Sequence, residues 1–270
     1  MIPQATADLY RVNRLRYALL LRAILAEWAR LTPGNDWDAA WRVAGPRITG
    51  LVAAAQAGAA ADGARSVGLA FAELGVDEVP LATVVPSAFA GVASDGRPLD
   101  SLMRQSVVTA RAAGSAEEGL AAGSRWLAIA TKLQLNDAAR QATAITIVAT
   151  PGAGWVRYVN PPCCQDCAVQ AGKWFRWNQG FLRHPNCDCV HRPAHSSEQP
   201  ANYTDTVPIN QIHDLTDAQR MALEDGADLS QVVNAYRRAA RDKSGRVIEG
   251  ARERMGLTSE GTTPRGWASY

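Results

Sequence analysis

Five cysteines and two of the four histidines fall between Cys163 and His191, so most side chains suited to a soft metal ion share one stretch. The pattern is Cys164-x2-Cys167, sixteen intervening residues, then His184-x2-Cys187-x-Cys189. Zinc takes four sulfur or imidazole ligands in a tetrahedron, and two short pairs on separate turns can supply them without strain. Cys164, Cys167 and Cys187 are the first three ligands expected, with His184 and Cys189 competing for the fourth place. Cys163 adjoins Cys164 and is expected to lie outside the shell. The plainer alternatives are a reduced thiol cluster or one or two disulfides. An odd number of cysteines and an N-terminus without the basic and apolar regions of a secretory signal argue against a disulfide framework. Four protein ligands leave no open position for water, so the zinc expected here is structural, one per chain, rather than catalytic.

The elements that must position these ligands are short. Lys173 to Trp177 alternates in character as a strand does, and Asn178-Gln179-Gly180 supplies a turn, which together predict a small zinc-ribbon-like hairpin with a knuckle at each end. Trp155 to Val159 alternates likewise and is expected to pair with that hairpin. Pro185 stiffens the turn of the second ligand pair.

Upstream the pattern is helical. From Thr6 to Leu31 the residues Leu9, Val12, Leu19, Leu20, Ile24, Trp28 and Leu31 recur at mostly three and four positions, which predicts one buried helix face. Arg11, Arg14, Arg22 and Arg30 mark the opposite face, which is either simply solvated or docks an acidic partner. Asp36 opens a second helix bearing Trp37 and Trp41, and Pro46 is expected to kink or divide it. Leu51 to Leu74 is alanine-rich, as closely packed helices are, and Val76 to Pro86 reads as a loop. Further helices are expected over Leu99 to Ala113, from the capping box Ser115-x-x-Glu118 to Leu133, and over Asn136 to Val148. Pro151-Gly152-Ala153-Gly154 marks a boundary. Beyond Pro193 the chain turns polar through Tyr203, Thr204 and Asp205. Thr216-x-x-Gln219 opens a short helix ending at Gly226, Leu229 to Arg241 predicts a basic amphipathic helix with Arg237 and Arg238, and Leu257 to Gly266 predicts an extended tail.

The expected fold is therefore mainly α: a helical docking domain over 1–150, a zinc-stapled β-hairpin module over 151–200, and a linker, short helices and tail over 201–270. At 270 residues, 47% hydrophobic and 20% charged, the composition is that of a folded globular chain, and a net charge of +2 gives no global attraction to nucleic acid. No run of eighteen apolar residues is present, so no membrane partner is expected. The helical half contains neither cysteine nor histidine and no phosphate-binding glycine loop.

Two other functions compete. A nucleic-acid-binding zinc module would use Arg157, Lys173, Arg176 and Arg183 on phosphates and Trp155, Trp174, Phe175 and Trp177 on bases. A metal-dependent hydrolase would need an open metal position and a base drawn from Asp166, Asp188, His191 or His195. Asp188 lies between two expected ligands, and the two histidines fall in a polar segment where surface positions are the rule.

At Cys164-x2-Cys167, Gly172, His184-Pro185-Asn186-Cys187-Asp188-Cys189 and Pro193, the sequence resembles the MuF-like minor capsid proteins of tailed bacteriophages, in the version found in phages of actinobacteria. Asp225-Gly226-Ala227-Asp228, Val232-Val233-Asn234-Ala235 and Ser259-Glu260-Gly261-Thr262-Thr263 are similar to the family's tail. The likeness by motif covers residues from about 120 to 270; Cys163, which makes the ligand register ambiguous, and the stop at Tyr270 depart from it. The resemblance implies a structural, non-enzymatic protein of the virion, made in the host cytoplasm and present in multiple copies in the capsid interior or at the portal vertex. Its implied partners are the portal or major capsid protein, with packaged DNA as a further contact, and its implied roles are head assembly and genome passage.

Overall fold

A computed structural model of the chain describes residues 3–31, 36–184, 187–196, 207–235, 239–241, 247–252 and 258–259. The chain divides into two compact units between Pro151 and Gly152. Mainly helical character and a small antiparallel sheet hold as expected.

The first unit is built on three long helices, α1 (Gln4–Ala29), α2 (Trp37–Leu74) and α5 (Ala116–Val148), with the short α3 (Leu99–Met103) and α4 (Gln105–Arg111) between the last two. Ile24, Trp28, Trp41, Ile48, Val52, Met103, Val107 and Leu127 form its main core. Glycine and alanine let α2 and α5 approach closely. A Cβ on Gly63 would collide with the Ala139 carbonyl, and Thr143 on α5 donates a hydrogen bond to the Gly63 carbonyl at 3.1 Å. The first turn of α1 lacks a side-chain cap of its own, and the Glu73 carboxylate near the end of α2 accepts from the Gln4 and Ala5 amides.

Four helical expectations are corrected. Leu9, Leu20, Ile24 and Trp28 are buried, but Val12 and Leu19 lie exposed at 42% and 59%. A 26-residue helix packed on two neighbours buries a stripe narrower than its full set of apolar positions. Pro46 does not divide α2. The residue before a proline resists helix because its Cβ meets the proline ring, and here that residue is Gly45, whose missing Cβ also makes room for the Trp41 indole. Ser115 caps α5 by accepting from the Glu118 amide at 3.2 Å, and α5 then runs unbroken to Val148 through the stretch expected to separate two helices. Gln134, in the middle of that stretch, is held by accepting from the Ser94 amide at 2.8 Å. The helix expected from Leu99 is interrupted at Arg104.

In the second unit β1 (Ala153–Tyr158) is the centre strand of a three-stranded antiparallel sheet, with β2 (Trp174–Arg176) on one side and β4 (Val190–His195) on the other. The expected pairing of Trp155–Val159 with the Trp174 strand is present, as Trp155 opposite Phe175. The expected ribbon hairpin is not. Beyond the turn at Asn178, β3 (Leu182–Arg183) pairs with β7 (Thr258–Ser259) instead of β2. The strand β4 also runs through Ala194 and His195, past Pro193 where the chain was expected to turn polar and irregular. Its Pro193 is tolerated because β4 is an edge strand, where a missing N–H costs no inner ladder bond.

Residues 207–235 belong to this same unit rather than to a separate segment beginning at 201. The Cys163 amide donates to the Gln211 carbonyl and the His213 amide to the Cys163 carbonyl, both at 3.0 Å, while the Gln165 amide donates to Asp214 at 2.6 Å. The capping box at Thr216 is complete and opens α7 (Asp217–Glu224). After α8 (Leu229–Ala235), Ala239–Arg241 forms β5, paired with β6 (Val247–Arg252), where a continuing helix was expected. The expectations for Pro185, Asn186, Tyr203 to Asp205, Arg237, Arg238 and the tail past Ser259 lie outside the described residues.

Candidate metal centre

The two ligand pairs enter from opposite sides of the β2–β3 excursion. Cys164 precedes α6 (Gln165–Gln170), and its sulfur accepts the Cys167 amide at 3.4 Å, so the x2 turn folds its own first ligand back onto the second. Gly172, at φ +69°, reverses the chain after α6, and its amide donates to the Arg157 carbonyl at 3.1 Å, which ties the knuckle to the centre strand. At the other end the Cys187 amide donates to the His184 carbonyl at 3.1 Å.

These turns bring all five expected ligands together around Cys167. Its sulfur is 3.4 Å from His184 Nε2, 3.8 Å from Cys187 Sγ and 3.3 Å from Cys189 Sγ, and Cys164 Sγ is 3.0 Å from His184 Nε2. Two groups of potential metal ligands result, Cys164–Cys167–His184 and Cys167–Cys187–Cys189, sharing Cys167. Two sulfurs on one tetrahedral zinc are separated by about 3.8 Å and a sulfur and a nitrogen by about 3.6 Å, from bond lengths near 2.3 and 2.0 Å. The observed separations, 3.0–3.8 Å, lie at or inside those edges, so each group of three could hold a metal ion, while no four of the five lie mutually within 4.8 Å. All five cysteines are free and buried, which sets aside the disulfide alternative.

Cys163 stays out of both groups, as expected. Its backbone bridges to Ile212, and burial followed by the Asp214 carboxylate pushes its thiol up to about 11.

Sequence reasoning placed Arg157 wrongly. Expected as a phosphate-contacting cation, it is 2% exposed, with NH2 3.4 Å from Cys187 Sγ and 3.7 Å from Cys167 Sγ. Its NH1 donates to the Leu182 carbonyl at 2.5 Å, and its guanidinium lies 4.2 Å over the Phe181 ring. Burial alone would lower its pKa. The charges of Cys189, Cys187 and Cys167 outweigh that and hold it raised. The signal was present in the strand period, since Arg157 shares a β1 face with Trp155. Trp155 stacks on Phe175 and Phe181 and meets the His191 ring edge-on.

The other expected site residues are distributed differently. Arg183 and His191 are buried, against the surface positions expected of them, while Lys173, Arg176 and Trp177 are exposed. Asp166 is also buried, and Asp188 and His195 are half-buried.

Protonation should act in opposite directions with and without metal. In the metal-free chain hydrogen bonds among the sulfurs raise Cys167 and Cys189, and burial raises Cys163. A folded pKa above the unfolded value of about 8.5 gives stability that is present below that pH and lost as pH rises toward about 11. Metal-bound thiolates are depressed instead, so their contribution is present at high pH and lost on acidification. Melting of the second unit between pH 5 and pH 11 should therefore fall off on the alkaline side with chelator and on the acid side with zinc. An alkaline limb that is flat in chelator contradicts the burial argument.

Comparison with protein families, with curated proteins and with solved structures finds no match to this chain.

Proposed function

We propose that this chain is a structural minor capsid protein of the MuF-like kind, lying inside a phage head or at the portal vertex in several copies. It docks on portal or major capsid subunits and supports head assembly and genome passage. The observation that carries this reading is the convergence around Cys167 of the residues whose spacing gives the resemblance. One structural zinc per chain staples the second unit. In this reading its role is stability, since four protein ligands leave no open position for a metal-bound water.

The nucleic-acid reading loses Arg157 and Trp155, both withdrawn into the interior, and keeps Lys173, Arg176 and Trp177. Among the described residues no helix is long and apolar enough to cross a membrane.

Docking falls on α1. Trp37 and Trp41 are 8% and 7% exposed and belong to the core, so they offer no docking face. Arg11, Leu15, Leu19 and Arg22 follow one another at helical spacing and are all exposed, Leu15 at 61%. A partner surface with an apolar patch flanked by carboxylates fits this stripe. Co-expression with the portal and major capsid proteins of one phage genome, followed by sedimentation, tests the reading. The chain should sediment with head-like particles, and Leu15→Glu/Leu19→Glu should reduce that association at least tenfold while leaving the helical fold intact. A chain that stays unassociated in the presence of both partners argues against the proposal.

A further inference from the structure

The centre contains a cation that is not a ligand. Arg157 projects from the middle of β1, is 2% exposed, and directs one nitrogen at two of the candidate sulfurs. The guanidinium cannot shed its charge, and burying that charge without a counter-charge is costly. Uncharged thiols do not balance it.

Resting on the zinc reading above, we propose that Arg157 is the internal counter-ion of the centre, and that its fixed charge selects three thiolates and the His184 imidazole over four thiolates. A doubly charged metal with three thiolates and a neutral imidazole carries one negative charge, which the guanidinium cancels. Four thiolates beside the same arginine leave a net negative charge in a buried site. Among the five candidate ligands, a choice that spacing leaves open, charge balance thereby favours a set that includes His184 over the set of four cysteines. Its Nε2 already lies 3.0 Å from Cys164 Sγ and 3.4 Å from Cys167 Sγ. Arg157 is a positioning residue: its fork holds the Leu182 carbonyl with one nitrogen and Cys167 and Cys187 with the other, joining the strand before His184 to both ligand pairs.

Cobalt(II) in place of zinc in the full chain reads the number of thiolates from the intensity of sulfur-to-metal charge transfer, and chelator competition reads zinc affinity. The wild-type chain should give a three-thiolate spectrum. Arg157→Met, similar in bulk and uncharged, should weaken zinc binding by about 10–100-fold, the usual cost of losing an outer-shell partner. Arg157→Lys should recover part of that affinity by restoring the charge without the fork. Val156→Ala serves as the comparison, because Val156 is fully buried on the other face of the same strand, against Ala194 and Trp174. A four-thiolate spectrum, an Arg157→Met chain that binds zinc as tightly as wild type, or an equal loss in Val156→Ala overturns the counter-ion role. A wild-type chain that takes up neither zinc nor cobalt overturns the zinc reading, and this inference with it.

Discussion

Cys167→Ala is expected to abolish zinc binding and unfold the second unit while the helical unit keeps its own melting transition. Cys167 is the one sulfur common to both ligand groups, and it touches His184, Cys187, Cys189 and Arg157 within 3.8 Å. Its loss breaks the shell and deprives a buried guanidinium of part of its counter-charge at once. Structural zinc contributes about 10–16 kcal/mol in small zinc-binding peptides near neutral pH, which matches or exceeds the whole stability of a typical domain. On one face of the sheet Trp174 packs against Val156 and Ala194, and on the other Trp155 stacks on Phe175 and Phe181. Cys163→Ala is the paired control. That residue joins the unit through its backbone and should retain one zinc per chain. Elemental analysis with thermal melting of both variants decides the matter, and one zinc per chain retained in Cys167→Ala would sink the staple.

Trp28→Ala should have the largest effect in the first unit. Trp28 is 1% exposed, its indole N–H donates to the Leu120 carbonyl at 2.8 Å, and its ring centroid lies 6.0 Å from Trp37 and 6.4 Å from Trp41. Gly123 sits directly under the ring, where any Cβ would overlap it, so the surroundings are shaped to the indole and collapse poorly around an alanine. Truncating a buried aromatic of this kind costs about 3–5 kcal/mol. For a unit of this size that lowers the midpoint on the order of 10 °C. Zinc content should not change, and a shift in midpoint under 2 °C would show that the cavity refills.

The clustering of the candidate ligands was legible because its information is local: two turns of fixed spacing place Cys164 by Cys167 and His184 by Cys187 wherever the rest of the chain goes. The helices were legible for the same reason, from period and caps. Long-range pairing was not. Nothing in Leu182-Arg183 says that its partner is Thr258-Ser259 and not the adjacent Trp174 strand, because a two-residue strand carries almost no register information. The strand at Val190 to His195 carries no clear signal in the sequence, because Pro193 and two histidines mask a strand whose edge position tolerates them. The burial of Arg157 depended on a charge balance with residues ten and thirty positions away, which strand alternation hints at and composition does not.

The pairing of Cys163 with the chain around Ile212 sets an order of events on the ribosome. Every candidate ligand has been synthesised by Cys189, so metal capture is open to the nascent chain before Gln211, Ile212 and His213 leave the exit tunnel. The knuckle then waits for the segment that covers it, and a ribosome stalled with Cys189 clear of the tunnel and Ile212 still inside would present the candidate ligands uncovered.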